Sequence, residues 1–228
     1  MIKSLSHLSI CVCAAVFLLV SCKHESIAQI ALDQQSPAVC FEDDILPIYQ
    51  SYCAKSGCHN ESSHREGYTL TSYETIISKG INAGNAFSSS LYTVLNASGE
   101  SRMPPPGSPS LTNEQIVLIR KWINQGAANT TNCAAVCDSM SFAYNADVKP
   151  IMDQYCTGCH GGTSPQGGFV LDTYAAVKEF VDGDPFTFMG TINQEPGYIA
   201  MPKPPAGKLS DCNIAKIRKW IEAGAPEN

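Results

Sequence analysis

Charge is scarce in this chain. Only 16% of its 228 residues are Asp, Glu, Lys or Arg, and there is no basic surplus: 15 Lys and Arg against 21 Asp and Glu leave a net charge of −6. That balance excludes the positive footprint by which proteins hold a phosphate backbone, so nucleic acid is not a partner. No apolar run is long enough to span a bilayer; Leu8 to Val20 falls short of the roughly 20 residues a membrane-crossing helix requires. A catalytic triad, a phosphate loop and a paired-carboxylate site are also missing, which removes the commonest hydrolytic and phosphoryl-transfer chemistries. A hydrophobic content of 44% nevertheless describes a folded body rather than a disordered one. What the chain has in excess is cysteine. Eleven are too many for an ordinary cytosolic protein, and point to an oxidising compartment or to a cofactor that consumes thiols.

The N-terminus supplies the compartment. Lys3 and the short apolar run read as a signal peptide over residues 1–21, ending in Leu19-Val20-Ser21-Cys22. This ending resembles a lipobox, in which Cys22 would be the lipidated mature N-terminus and the membrane anchor; the alternative is an ordinary secretory signal with Cys22 incidental, and the position of the cysteine directly after the apolar run favours the lipoprotein. Residues 22–38 then read as a polar tether. Lys23 follows Cys22 where an aspartate would favour inner-membrane retention, so the expected location is the bacterial cell envelope, at the outer membrane, facing the periplasm or the cell surface. Removing residues 1–21, which carry one lysine and no acid, takes the net charge from −6 to −7.

The rest of the chain repeats itself. Pro47 stands six residues before Cys53, and Pro150 six before Cys156. The run Gly67 to Tyr73 matches Gly168 to Tyr174, Met103-Pro104 matches Met201-Pro202, and Ile116 to Gly126 matches Ile214 to Gly224. Methionine to tryptophan is 19 residues in both copies. Four ordered matches mark a tandem duplication, with one domain over 39–133 and the other over 134–228.

Each copy reads as helical. Ile116, Ile119, Trp122 and Ile123 form an apolar stripe at helical spacing, as do Ile214, Ile217, Trp220 and Ile221. Thr112 with Gln115 makes a capping box, Ser210 caps the second helix, and Gly126 and Gly224 stand where helices end. Asp44 to Tyr52 and Asp147 to Tyr155 read as shorter helices, followed by long glycine- and proline-rich loops. The expected fold is all-α, in two tandem domains.

Chemistry concentrates where those shorter helices end. Cys156-Thr157-Gly158-Cys159-His160 is the C-x-x-C-H pattern for covalent haem attachment: two thiols add across the haem vinyls and the next histidine binds the iron. Cys53, Cys58 and His59 repeat the pattern with four residues between the cysteines. An iron held by one histidine needs a sixth ligand, and Met103 and Met201 lie 44 and 41 residues after their histidines in proline-stiffened turns. Met140, Met152 and Met189 have no counterpart in the other copy, nor has His64. Tyr73 and Tyr174 could reach propionates or simply pack in the core. Arg120-Lys121 and Arg218-Lys219 read as solvated helix faces.

Four further cysteines, Cys40, Cys133, Cys137 and Cys212, allow three disulfide pairings. Val39-Cys40 matches Val136-Cys137, and this favours Cys40–Cys133 closing the first copy and Cys137–Cys212 the second. Zinc is disfavoured because paired C-x-x-C spacing is absent among them.

With these motifs in place, the chain resembles the c-type cytochromes, and more narrowly the duplicated cytochrome c domains of lipoproteins from Bacteroidetes-like and Planctomycetes-like bacteria. The resemblance is carried by Cys156 to His160, the Met-Pro-Pro loop at Met103, and the endings from Leu111 to Ala127 and from Leu209 to Pro226. It implies two haem c groups, on Cys53, Cys58 and His59 and on Cys156, Cys159 and His160, and an electron-transferring role; the redox protein that would serve as donor or acceptor does not carry over. On this reading the protein is a carrier and not an enzyme. Two alternatives remain open: a dihaem peroxidase with one open haem, and a binding lipoprotein that keeps only the second haem.

Overall fold

The computed structural model describes residues 26–133 and 137–228. The signal peptide, Cys22 and Val136 lie outside them. Among the described residues there are helices and no strands, and no helix is long and apolar enough to cross a membrane.

In chain order, residues 26–35 form α1. The short α2 (Leu46–Ile48) is flanked by π-helical turns Phe41–Ile45 and Tyr49–Cys53, so that helical backbone runs up to the first motif cysteine. Then come α3 (Tyr73–Ile77), α4 (Ser90–Thr93) and α5 (Asn113–Asn124). A π turn over Tyr144–Val148 leads into α6 (Lys149–Tyr155), followed by α7 (Tyr174–Gly183), α8 (Pro185–Ile192) and α9 (Asp211–Glu222). Pro47 and Pro150 both sit in a first helical turn directly after a π turn, where a missing amide donor is tolerated. The shorter helices therefore start three residues earlier than their sequence pattern suggests, at Phe41 and Tyr144.

The buried apolar side chains fall into two clusters, one built around Trp122 and one around Trp220. Each indole is at most 1% exposed, and removing 150–250 Å² of aromatic surface from water contributes roughly 4–6 kcal/mol. The two clusters are organised alike. Trp122 Nε1 donates to Ala128 O at 3.0 Å and Trp220 Nε1 to Pro226 O at 2.8 Å. Phe41 lies 5.3 Å from Trp122 and Tyr144 lies 5.3 Å from Trp220, ring centre to ring centre. The Tyr73 and Tyr174 hydroxyls donate to Ala127 O and Ala225 O, each at 2.9 Å, so both are committed to the core. The helices α5 and α9 are capped by Thr112 and Ser210, and each ends on a left-handed glycine, Gly126 at φ 103° and Gly224 at φ 88°.

Two expectations need correcting. The loops expected after the second motif contain α7 and α8, capped by Thr173 and by Asp184, with Pro185 opening α8. The expected tether over residues 22–38 is helical over 26–35 and docks on α5. Asp33 is 2% exposed; it accepts from Arg120 Nε at 2.8 Å and Nη2 at 3.2 Å, from Asn124 Nδ2 at 2.8 Å and from Gln29 Nε2 at 3.0 Å. Arg120 is thus half of an internal ion pair and not a free surface charge.

The two halves also meet. Ser51 Oγ donates to Gln154 O at 2.8 Å, Tyr52 Oη to Asp153 O at 2.7 Å and Gln115 Nε2 to Asp153 O at 3.0 Å. The contact closes on Gly158, where a Cβ would stand 2.4 Å from Ser51 O. Only glycine allows this approach.

Candidate functional site

Eight cysteines are described, and they divide cleanly. Cys40 is bonded to Cys133 and Cys137 to Cys212, with Cα–Cα separations of 5.9 and 5.7 Å. Cys53, Cys58, Cys156 and Cys159 are free thiols, all partly buried.

The free thiols sit on two loops closed in the same way. The amide of His59 donates to Cys53 O at 3.1 Å, and that of His160 to Cys156 O at 2.9 Å. Two extra residues in the first loop leave this closure unchanged. Further on, Arg65 N–H donates to Cys58 O at 3.1 Å and Gln166 N–H to Cys159 O at 2.9 Å, while Leu70 and Leu171 return their amides to the carbonyls of His59 and His160 at 2.8 and 2.6 Å. Each loop is therefore tied to its own histidine from both sides. The candidate methionines correspond too: Met103 N–H bonds Val94 O at 2.9 Å and Met201 N–H bonds Thr191 O at 3.1 Å, each at the end of a helical stretch. Both side chains are partly exposed.

Electrostatics keep the site neutral. Burial pushes the thiols of Cys53 and Cys156 up to about 12. Burial also raises Cys159, against the opposing pull of Lys55 and Lys203. Burial lowers both His59 and His160, leaving the imidazoles in the neutral form that binds metal. The Nδ1 of His59 faces Arg65 O at 3.2 Å. With its proton there, Nε2 is the free ligand atom. His160 stacks on Phe169 at 4.4 Å, and Phe169 on Phe180 at 4.7 Å.

These residues fit a haem c group. Four thiols stay unpaired while every other described cysteine is bonded, and two neutral imidazoles follow them. The two buried side-chain polar atoms that lack a partner among the described residues are Tyr49 Oη and His160 Nδ1, one in each copy. Tyr49 opens the helical turn that ends at Cys53, and His160 is itself the motif histidine. A bare metal ion has no comparable place, since no group of three or more His, Cys, Asp or Glu among the described residues could hold one.

Residues 56–107 match the family model of Planctomycete cytochrome C. The match supports a cytochrome c-like family and, with it, covalently bound haem c and haem-based electron transfer. It begins inside the wider loop, takes in Cys58 and His59, and ends at Gly107, just past the Met103 turn. The copy with the looser motif is thus the one the family model covers. No curated protein and no solved structure matches the chain.

Three features of the site escaped the sequence reading. Lys55, one of the residues in the wider loop, crosses to the second copy and donates to Gly158 O at 2.9 Å. Gly158 occupies a position that the motif leaves unspecified. A cleft of about 220 Å³ is bordered by Cys58 of one motif and Cys159 of the other, with Lys55, Pro109 and Gln166 around it. The two extra residues of the first loop, with a long cation among the four between its cysteines, were the available signal for the first; the shared cleft had none.

Proposed function

We propose that the protein is a membrane-anchored electron carrier built from two tandem cytochrome c-like domains, each holding one haem c. Cys53, Cys58 and His59 hold the first and Cys156, Cys159 and His160 the second, with Met103 and Met201 as the sixth ligands. The observation that carries the reading is the identical closure of the two loops, histidine amide to first-cysteine carbonyl, around four free thiols. When bound, the haem supplies a one-electron iron couple. The protein fixes the neutral imidazole by its loop, limits water through the buried aromatic surroundings, and sets the potential through the methionine thioether. Lipidated Cys22 anchors the chain in the cell envelope, at the outer membrane, and a redox protein exchanges electrons with it.

The carrier reading predicts a sixth ligand at both irons. The reduced protein is therefore expected to leave its visible spectrum unchanged under carbon monoxide, and the oxidised protein to show the methionine–sulfur band. A carbon monoxide complex formed at one haem without denaturation would contradict the carrier and favour a peroxidase-type centre.

A further inference from the structure

The helix α1 has two sides, and the first core uses one of them. At about 100° per residue, Gln29, Ile30 and Asp33 share one side of residues 26–35, and Ile27, Ala28, Ala31 and Leu32 share the other. The first side is docked. Asp33 is held by Arg120 and Asn124, Gln34 Nε2 donates to Asn124 O at 3.1 Å, and Gln125 Nε2 donates to Asp33 O at 3.0 Å. These bonds fix the helix to the C-terminal end of α5. The second side faces outward: Ile27 and Leu32 are 65% and 62% exposed, and Ala28 and Ala31 are exposed with them. Asp33 is the one charged residue in 26–35 and it is buried, so the outward side carries no charge.

Where the chain comes from says what covers that side. Cys22 stands four residues before Ser26. Four residues reach at most about 14 Å, whatever their conformation, so acyl chains on Cys22 hold α1 within that distance of a bilayer. An apolar face kept so close needs little affinity of its own, because the anchor has already brought it to the surface. Electrostatics give no help here. The chain is acidic, with a net charge of −6, and is not drawn to anionic lipid as a basic segment would be. An uncharged apolar side enters the lipid boundary without the desolvation cost that a charged one would meet.

We propose that the outward side of α1 lies on the lipid bilayer and sets the angle at which the first copy stands on the membrane. Ile27 and Leu32 enter the boundary between headgroups and acyl chains, as the apolar side of an interfacial helix does. Asp33 stays behind, paired with Arg120. Retention belongs to the acyl chains, and α1 adds orientation: because it is bonded to α5, the first copy is held against the surface instead of swinging on a free tether. This placement rests on the lipoprotein reading of Cys22.

The test is photolabelling of the lipidated holoprotein in phosphatidylcholine vesicles, where a fraction of the lipid carries a diazirine on an acyl chain near the headgroup. Labelled peptides are mapped by mass, and intact mass is measured on each sample. Label is expected on Ile27 and Leu32. In Ile27→Gln/Leu32→Gln it is expected to fall about tenfold, with the acyl mass on Cys22 and the urea midpoint as in the parent, since both positions are exposed. Ile27→Leu/Leu32→Ile is expected to keep the label. A lipidated parent that takes up no label over residues 26–35, or equal labelling of the Gln variant, would overturn the placement and leave the lipoprotein reading intact. A dimer in detergent solution that the Gln variant dissolves would give this side of α1 to a second copy, and would overturn the placement as well. Cys22 without acyl mass would overturn both.

Discussion

Gly158→Val is expected to force the two halves of the protein apart and to cost about 3 kcal/mol. Even the first added carbon would stand 2.4 Å from Ser51 O, 2.5 Å from Ser51 C and 2.9 Å from Tyr52 N. All three are backbone atoms of a helical segment that is fixed in the first core, so no side chain can swing aside. The displacement would also break the Lys55 and Ser51 bonds that cross the contact. In urea, the unsubstituted protein is expected to unfold in one transition, and Gly158→Val in two, because each tryptophan cluster then melts alone. Gly183→Ala is the control, since a Cβ there meets open space and the backbone is helical. A Gly158→Val protein with one transition, within about 0.5 kcal/mol of the parent, would show that the halves do not depend on this contact.

Asp33→Ala is expected to release α1 from α5 at a cost of about 3 kcal/mol, the order of magnitude for removing one partner of a buried ion pair. It strands the Arg120 guanidinium and the Asn124 amide, both built to donate to the carboxylate. The same bonds give the contact a pH dependence. Burial acts to raise the Asp33 pKa, but the bonds from Arg120, Asn124 and Gln29 outweigh it and hold the carboxyl below its ordinary value. A group with a depressed folded value binds fewer protons folded than unfolded. Its stabilisation is complete above the unfolded value of about 4 and is lost as pH falls through the folded value. Unfolding free energies measured from pH 7 downward should therefore converge for the parent and Asp33→Asn as the medium is made acid. Curves that stay parallel, or diverge, would contradict the role given to Asp33.

These two residues also show where the sequence stopped being legible. The helices α5 and α9 are local: stripe, cap and terminal glycine all lie within a few positions, and each could be read from Thr112 to Gly126 or from Ser210 to Gly224. The motif loops are local in the same sense, which is why Cys53, Cys58, His59, Cys156, Cys159 and His160 stood out. Asp33 has a short-range context that reads as a solvated acid in a polar stretch, and its meaning comes from Arg120, 87 residues away. Gly158 sits at an unspecified place in its motif, and only Ser51, on the other half, makes glycine obligatory. The helix α7 was obscured by the glycine-rich approach to it, although the Thr173 cap and the Asp184-Pro185 step into α8 were signals that could have been weighed. Position matching had paired Trp122 with Trp220 and Tyr73 with Tyr174, and what it could not show is where their polar atoms go: Trp122 and Tyr73 donate to Ala128 O and Ala127 O just beyond α5, and Trp220 and Tyr174 to Pro226 O and Ala225 O just beyond α9.

A two-haem carrier requires that the wider loop hold haem as the narrower one does. Intact mass of the protein matured beside a haem-attachment system, under denaturing conditions, tests this directly. The shared closure of the two loops predicts a polypeptide carrying two haem masses, falling to one when Cys53 and Cys58 are both replaced by alanine. A parent protein carrying a single haem, unaltered by that replacement, would contradict it.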